Sequence, residues 1–232
     1  MRRPFVQGML DGVPIALGYL SVSFGFGILA VRLGLPVLAA VGISFTNLTS
    51  AGQAAGVEII AAAGTLLEMA LTQFVINLRY ALMGFSLSQK LDATFTTPRR
   101  LLVSFGITDE IYAVAISQPG LLTATYMMGL IVTPVLGWSL GTFLGAAAGE
   151  LLPTAVSNAM GLVLYGMFIA IIIPPARKDR RVLFVVALAA ACSVVFRYLL
   201  PMVSGGFAVI LSALAASLAG AWLFPIEEEA MT

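Results

Sequence analysis

Two short runs of this chain carry side chains whose types and spacing suit chemistry. The first is Asn77-Leu78-Arg79-Tyr80, where a guanidinium sits beside an amide and a phenol. Such a group can hold a substrate carboxylate through paired N–H donors, or switch between carboxylate partners during transport. A structural pair with a carboxylate such as Glu68 or Asp109 is the competing reading. The second is Thr108-Asp109-Glu110, two adjacent acids behind a hydroxyl. A carboxylate withdrawn from water can take up and release a proton during a cycle. Its alternative is a solvated loop near a membrane edge. A third run, Thr46 to Gln53, is polar and glycine-containing within apolar surroundings. A helix broken there would expose backbone N–H and C=O groups, with Asn47 and Gln53 as side-chain ligands and Glu58 as a partner for an ammonium. A polar seam between helices is the competing reading.

The elements that must position these groups follow from composition. The chain has 232 residues, 60% of them hydrophobic and only 10% charged. A soluble domain averages about 25% charged residues, so a water-exposed fold and a disordered chain are both excluded. Four charges fall between residues 12 and 89: Arg32, Glu58, Glu68 and Arg79. Three fall between 101 and 176, and Arg197 alone between 182 and 226. This is the pattern of a multi-pass, all-α membrane bundle in contact with a lipid bilayer, each crossing needing roughly 20 residues. The chain contains no histidine and one cysteine, Cys192. Histidine-based catalysis, an internal disulfide and a Cys or His metal site are therefore absent from its chemistry. No Gly-Lys-Ser/Thr phosphate loop follows a glycine run, so no nucleotide cofactor is expected. The net charge of +1 gives no case for nucleic acid.

Polar and Gly/Pro breaks divide the chain into about seven to eight hydrophobic segments, near 13–33, 36–62, 64–88, 101–118, 121–149, 156–175, 182–200 and 203–224. The first reads as retained, without an evident cleavage site. Basic residues gather at Arg2/Arg3, at Lys90/Arg99/Arg100 and at Arg177 to Arg181. All three places should lie on the cytoplasmic side. Three full crossings between neighbouring basic places would put them on opposite sides. One resolution is that one segment in each group does not fully cross. Segment 36–62, with its polar middle, is the candidate in the first group, as a broken helix or a re-entrant hairpin. In the second group the choice stays open: 156–175 is nearly all apolar and a poor hairpin, and 121–149 is overlong and contains Pro134.

A single membrane domain, 1–232, is expected, with internal repeats near 1–118 and 119–232. Arg79-Tyr80 recurs as Arg197-Tyr198, and Gly18-Tyr19 as Gly137-Trp138. Halves of odd crossing number would be inverted; chance matching of two dipeptides is the alternative. In segment 64–88, at 100° per residue, Glu68, Thr72 and Arg79 fall within about 40° of each other. Gln73, Asn77 and Tyr80 make a second polar stripe, which places this helix inside the bundle. Glu68 and Arg79 lie three turns apart and should not pair; a charge at mid-membrane costs about 2.5–3.5 kcal/mol on insertion scales. Glu58, Glu68, Asp109 and Glu110 are the proton-coupling candidates. Asn47, Gln53, Asn77, Arg79 and Tyr80 are the binding candidates. Gly137, Gly141, Gly145 and Gly149 recur every four residues, a stripe for close helix approach.

A further set of short motifs runs in order along the chain: Gly12-Val13-Pro14 with Gly18-Tyr19, Phe24-Gly25-Phe26-Gly27, Ala51-Gly52-Gln53, Asn77-Leu78-Arg79-Tyr80, Thr108-Asp109-Glu110, and Trp138 with Gly141-Thr142 and Gly145. In these the chain resembles the AzlC-type permeases, large subunits of bacterial branched-chain amino acid exporters. The resemblance implies export of branched-chain or other small apolar amino acids across the bacterial inner membrane, and a small AzlD-type membrane subunit as partner. A non-transporting assembly subunit is the alternative, and an enzyme is not expected.

Overall fold

The computed structural model describes residues 3–149, 166, 169 and 172–225. These residues form an all-helical bundle with no strands, as composition requires in a bilayer. The helices are α1 (Pro4–Arg32), α2 (Val37–Thr46), α3 (Ala51–Ala61), α4 (Leu66–Ser88), α5 (Thr97–Phe105), α6 (Asp109–Ser117), α7 (Ala124–Gly149), α8 (Arg180–Leu199) and α9 (Gly205–Leu223). Four of them, α1, α7, α8 and α9, are long and apolar enough to cross a membrane. Helix α4 is more polar, but its 23 residues rise about 35 Å. The expected segment 156–175 lies almost wholly outside the described residues.

The axis of the bundle is a parallel pair, α1 and α7, packed backbone to backbone. Gly8 of α1 lies against Tyr126, Gly129 and Leu130, and Gly12 against Leu130, Thr133 and Pro134. Further along, Gly137 faces Ala16, Gly141 faces Leu20 and Ser23, Gly145 faces Phe24, and Gly27 faces Thr142 and Ala146. The glycine stripe thus serves internal packing. A Cβ on Gly141 would meet the Leu20 Cα at 2.9 Å, whereas one on Gly18 would meet nothing within 4 Å.

Helices α2 and α3 do not cross together. They form a hairpin: Gln53 Nε2 of α3 donates to Ser44 Oγ of α2 at 2.9 Å. Ala40 near the start of α2 and Val57 near the end of α3 share one cluster with Phe26, Ala30 and Ala146 at the far ends of α1 and α7. The hairpin enters from that end and turns at residues 47–50. Helices α5 and α6 make a second hairpin from the opposite end. Lys90, just past α4, donates through Nζ to the carbonyls of Ile116 and Gln118 at the close of α6. Its own carbonyl accepts from Leu122 N at 2.7 Å. Thr94 Oγ1 accepts from Ala124 N at the start of α7.

The two re-entrant hairpins remove the conflict over crossing number. Segment 36–62 is re-entrant, and in the second group the re-entrant segment is 101–118. Arg3, Lys90, Arg99 and Arg100 then share one end of the bundle. Helix α9 begins at the other end, where Glu68 in the first turn of α4 accepts Gly206 N at 3.0 Å. Helix α8 runs antiparallel to α9, with the Arg181 guanidinium 5.9 Å from the Phe224 ring centre. Lys178, Arg180 and Arg181 therefore join the same basic end.

This topology contains an inversion. Hairpin α2–α3 followed by α4 is matched by hairpin α5–α6 followed by α7, with helix lengths of 10, 11 and 23 residues against 9, 9 and 26. The two units enter from opposite ends and run in opposite directions. The half-chain spacing joins Gly18-Tyr19 of α1 to Gly137-Trp138 of α7, which run parallel, and Arg79-Tyr80 of α4 to Arg197-Tyr198 of α8, which run in opposite directions. Helix α4 is not enclosed on all sides: Leu67, Phe74, Leu78, Leu82 and Phe85 are exposed along one face. Both of its polar stripes point inward, leaving an apolar stripe for lipid.

Two outcomes follow. Cysteines introduced as Ala93→Cys and Asp179→Cys in a Cys192→Ser background should react with an impermeant maleimide from the same side, and Ala62→Cys from the other. Gly141→Leu should lower thermal stability in detergent by about 1–3 kcal/mol through overpacking, while Gly18→Ala leaves the melting curve unchanged.

Candidate functional site

The two hairpin turns meet at mid-depth, beside the middle of α1, α4 and α7. They enclose a cavity of about 200 Å³ lined by residues including Tyr19, Leu48, Ser50, Arg79, Tyr80 and Trp138. Thr108, Asp109 and Glu110 complete its acidic wall. Each group has a local reason for its place. Thr108 is the N-cap of α6, its Oγ1 accepting from Ile111 N at 3.4 Å. Asp109 and Glu110 then occupy the first turn, where the helix dipole favours negative charge. Ser50 holds φ 39°, a left-handed backbone rare for a residue with a Cβ, and so turns the chain sharply into α3.

Arg79 Nη1 donates to Asp109 Oδ2 in an ion pair joining α4 to the α5–α6 turn. The pair is not sealed: the side chains are 41% and 43% exposed. The Arg79 guanidinium also lies 5.0 Å from the Tyr80 ring centre. On the opposite wall the Tyr19 hydroxyl donates to Glu110 Oε2 and shares a 2.6 Å hydrogen bond with Thr108 Oγ1. Tyr19 stacks edge-on against Trp138, centroids 5.2 Å apart, with Leu48 completing the cluster. Trp138 is 2% exposed, and its Nε1–H has no partner among the described residues. A buried unpaired donor costs about 1–3 kcal/mol.

Of the binding candidates, Arg79 and Tyr80 line the cavity. Asn47 ends α2 at the turn, but its neighbours Leu48, Ser50 and Ala51 form the wall instead. Gln53 is buried away from the cavity, facing Ser44, which bonds to Thr142 Oγ1 at 2.7 Å. Asn77 donates to Gln73 Oε1, and Gln73 Nε2 donates to the Gly52 carbonyl at 2.7 Å. These amides belong to a polar α3–α4 seam. Of the acids, Asp109 and Glu110 stand in the cavity, whereas Glu58 and Glu68 line a separate one. Tyr19, Trp138 and Thr108 were not among the expected site residues. Tyr19 and Trp138 carried a signal, as aromatics in the recurring Gly-aromatic dipeptide, each at the middle of a long apolar segment.

A multi-pass membrane protein with a charged mid-depth cavity between two inverted hairpin units is the class defined here, and it is transporter-like. The chain matches the family described as AzlC protein over residues 14–152 and belongs to that family. It is 28% identical over 205 residues to the inner membrane protein YgaZ of Escherichia coli (strain K12), covering 85% of this chain and 84% of that protein. It is 29% identical over 220 residues to an uncharacterized membrane protein of Archaeoglobus fulgidus, covering 94% of each. No solved structure matches it.

Tyr19→Phe removes the hydroxyl that ties α1 to the α5–α6 turn. Thermal unfolding should shift down by about 1–2 kcal/mol, since Glu110 and Thr108 lose a shared partner.

Proposed function

We propose that the chain is the translocating subunit of a secondary exporter for branched-chain or other small apolar amino acids. The observation that carries this is the mid-depth cavity, where the Arg79 guanidinium and the acids Asp109 and Glu110 stand together and the Arg79–Asp109 pair is partly exposed. A zwitterion requires both. Arg79 offers N–H donors to the substrate carboxylate. The N-terminus of α3, which has no acid in its first turn, borders the same space at Ser50 and Ala51, and its dipole favours a carboxylate there. Asp109 and Glu110 face the ammonium. Leu48, Ile76 and Ile172 supply apolar wall for a small aliphatic side chain.

The Arg79–Asp109 pair must exchange partners when a carboxylate arrives. A carboxylate released from its guanidinium can accept a proton, which couples substrate movement to a proton gradient. The basic end of the bundle is assigned to the cytoplasm by the positive-inside rule. A small AzlD-type membrane subunit is the proposed partner, on the strength of the sequence resemblance, and the bacterial inner membrane the proposed location.

Proteoliposomes holding the protein with its small subunit should move labelled valine or leucine, at a rate set by the pH gradient. Arg79→Ala should abolish flux at normal membrane abundance; full flux in that variant defeats the carboxylate assignment. Asp109→Asn and Glu110→Gln separate the proton carriers. PH dependence unchanged in both variants defeats the coupling.

A further inference from the structure

A second charged cavity, of about 350 Å³, lies toward the end of the bundle opposite the basic loops. Its walls come from α3, α4, α8, the start of α9 and the turns between them. It is lined by groups that include Glu58, Glu68, Arg197, Ser204 and Gly206. The same two helices, α3 and α4, wall both cavities. Ala51 and Arg79 border the first, and Ala55, Glu58 and Glu68 the second. Along α4, Glu68 and Arg79 are about 16 Å apart by helical rise. The two cavities therefore border the same α3–α4 pair, one at mid-depth and one near the end opposite the basic loops.

The chemistry of the outer cavity is built rather than incidental. Glu68 is 5% exposed. Its Oε1 accepts from the Ser204 hydroxyl and from Gly206 N, which clasps α4 to the N-terminus of α9. The clasp uses one oxygen. Oε2 has no hydrogen-bond partner among the described residues. Across the cavity, Arg197 makes no hydrogen bond or ion pair among the described residues. A guanidinium and a buried carboxylate oxygen, neither partnered among the described residues, thus line one cavity from different helices, unlike the paired Arg79 and Asp109 of the central cavity.

We propose that this cavity is a second, outer binding site for a small zwitterionic amino acid. Arg197 takes the carboxylate, and Glu68, with Glu58 nearby, takes the ammonium. The inference rests on the amino-acid transport reading above. The outer site receives substrate released from the centre, and takes it up first when flux is reversed.

Sided transport tests it. Valine exchange is measured in right-side-out and inside-out membrane vesicles carrying the intact protein with its small subunit at matched abundance. Arg197→Gln should raise the KM for valine supplied from the outer face about tenfold, as expected for loss of one charge-assisted contact. The KM from the basic face should change less than about twofold, because the central cavity is untouched. Arg197→Lys keeps the charge and most of the stem, and should recover much of the outer-face KM. An equal change from both faces, or none from either, overturns the outer site while leaving the transport reading standing. Absence of valine exchange in the unsubstituted protein defeats the transport reading itself, and the outer site's ligand with it.

Discussion

Four helix ends stop at mid-depth in this bundle, where a bilayer offers no water to their backbone groups. The ends of α2 and α5 leave carbonyls without helical partners, and the starts of α3 and α6 leave N–H groups. In lipid each such group costs several kcal/mol, so broken helices persist only where protein or a water-lined cavity surrounds them. The parallel α1–α7 pair supplies that surround. Its glycine seam brings two backbones into contact and leaves Tyr19 and Trp138 free to project toward the turns. The apolar core is stacked along this pair. One cluster around Met127 and Leu130 lies toward the basic end, the Tyr19–Trp138 cluster at the middle, and one around Phe26 and Ala146 at the far end.

The same constraint decides what could be read from the sequence. Arg79, Asp109 and Glu110 stood out because a charge inside an apolar segment is expensive and therefore rare. The first hairpin was legible because its turn spreads polarity over Thr46 to Gln53. The second was not. Its turn is only Gly106-Ile107-Thr108, between Leu101–Phe105 and Ile111–Ile116, and hydropathy cannot separate it from a crossing helix. What makes it a hairpin is a long-range fact, the meeting of Lys90 with the carbonyls of Ile116 and Gln118.

Side-chain direction was the weaker part of the reading. Periodicity recognised two polar stripes on α4 but could not say which one meets a cavity and which a neighbouring helix. Gln73 and Asn77 are spent on the Gly52 carbonyl and on each other, because Gly52 and Gly56 let α3 approach closely. Gln53 turns toward Ser44 for the same reason, since a hairpin places residues equidistant from its turn opposite each other. Glu68 shows a related limit. A Thr-x-x-Glu box at the start of α4 would send its carboxylate back to Thr65. Thr65 does cap Glu68 N, but the carboxylate instead reaches the N-terminus of α9, far along the chain.

The two inverted units are alike in topology and unlike in chemistry, and the difference locks them together. The turn of the first unit, at Leu48 and Ser50, is neutral and packs against Trp138 on the spanning helix of the second. The turn of the second unit carries Asp109 and is paired with Arg79 on the spanning helix of the first. Each unit thus holds the other's hairpin turn, once by apolar packing and once by an ion pair. The apolar contact is indifferent to ligand charge and to protonation. The ion pair is sensitive to both, and its partial exposure leaves it within reach of the cavity. Any event that neutralises Asp109 or supplies Arg79 with another carboxylate weakens one of these two holds and leaves the other intact. The inverted scaffold therefore carries its chemical sensitivity on the hairpin that enters from the basic end, with the opposite hairpin as its fixed reference.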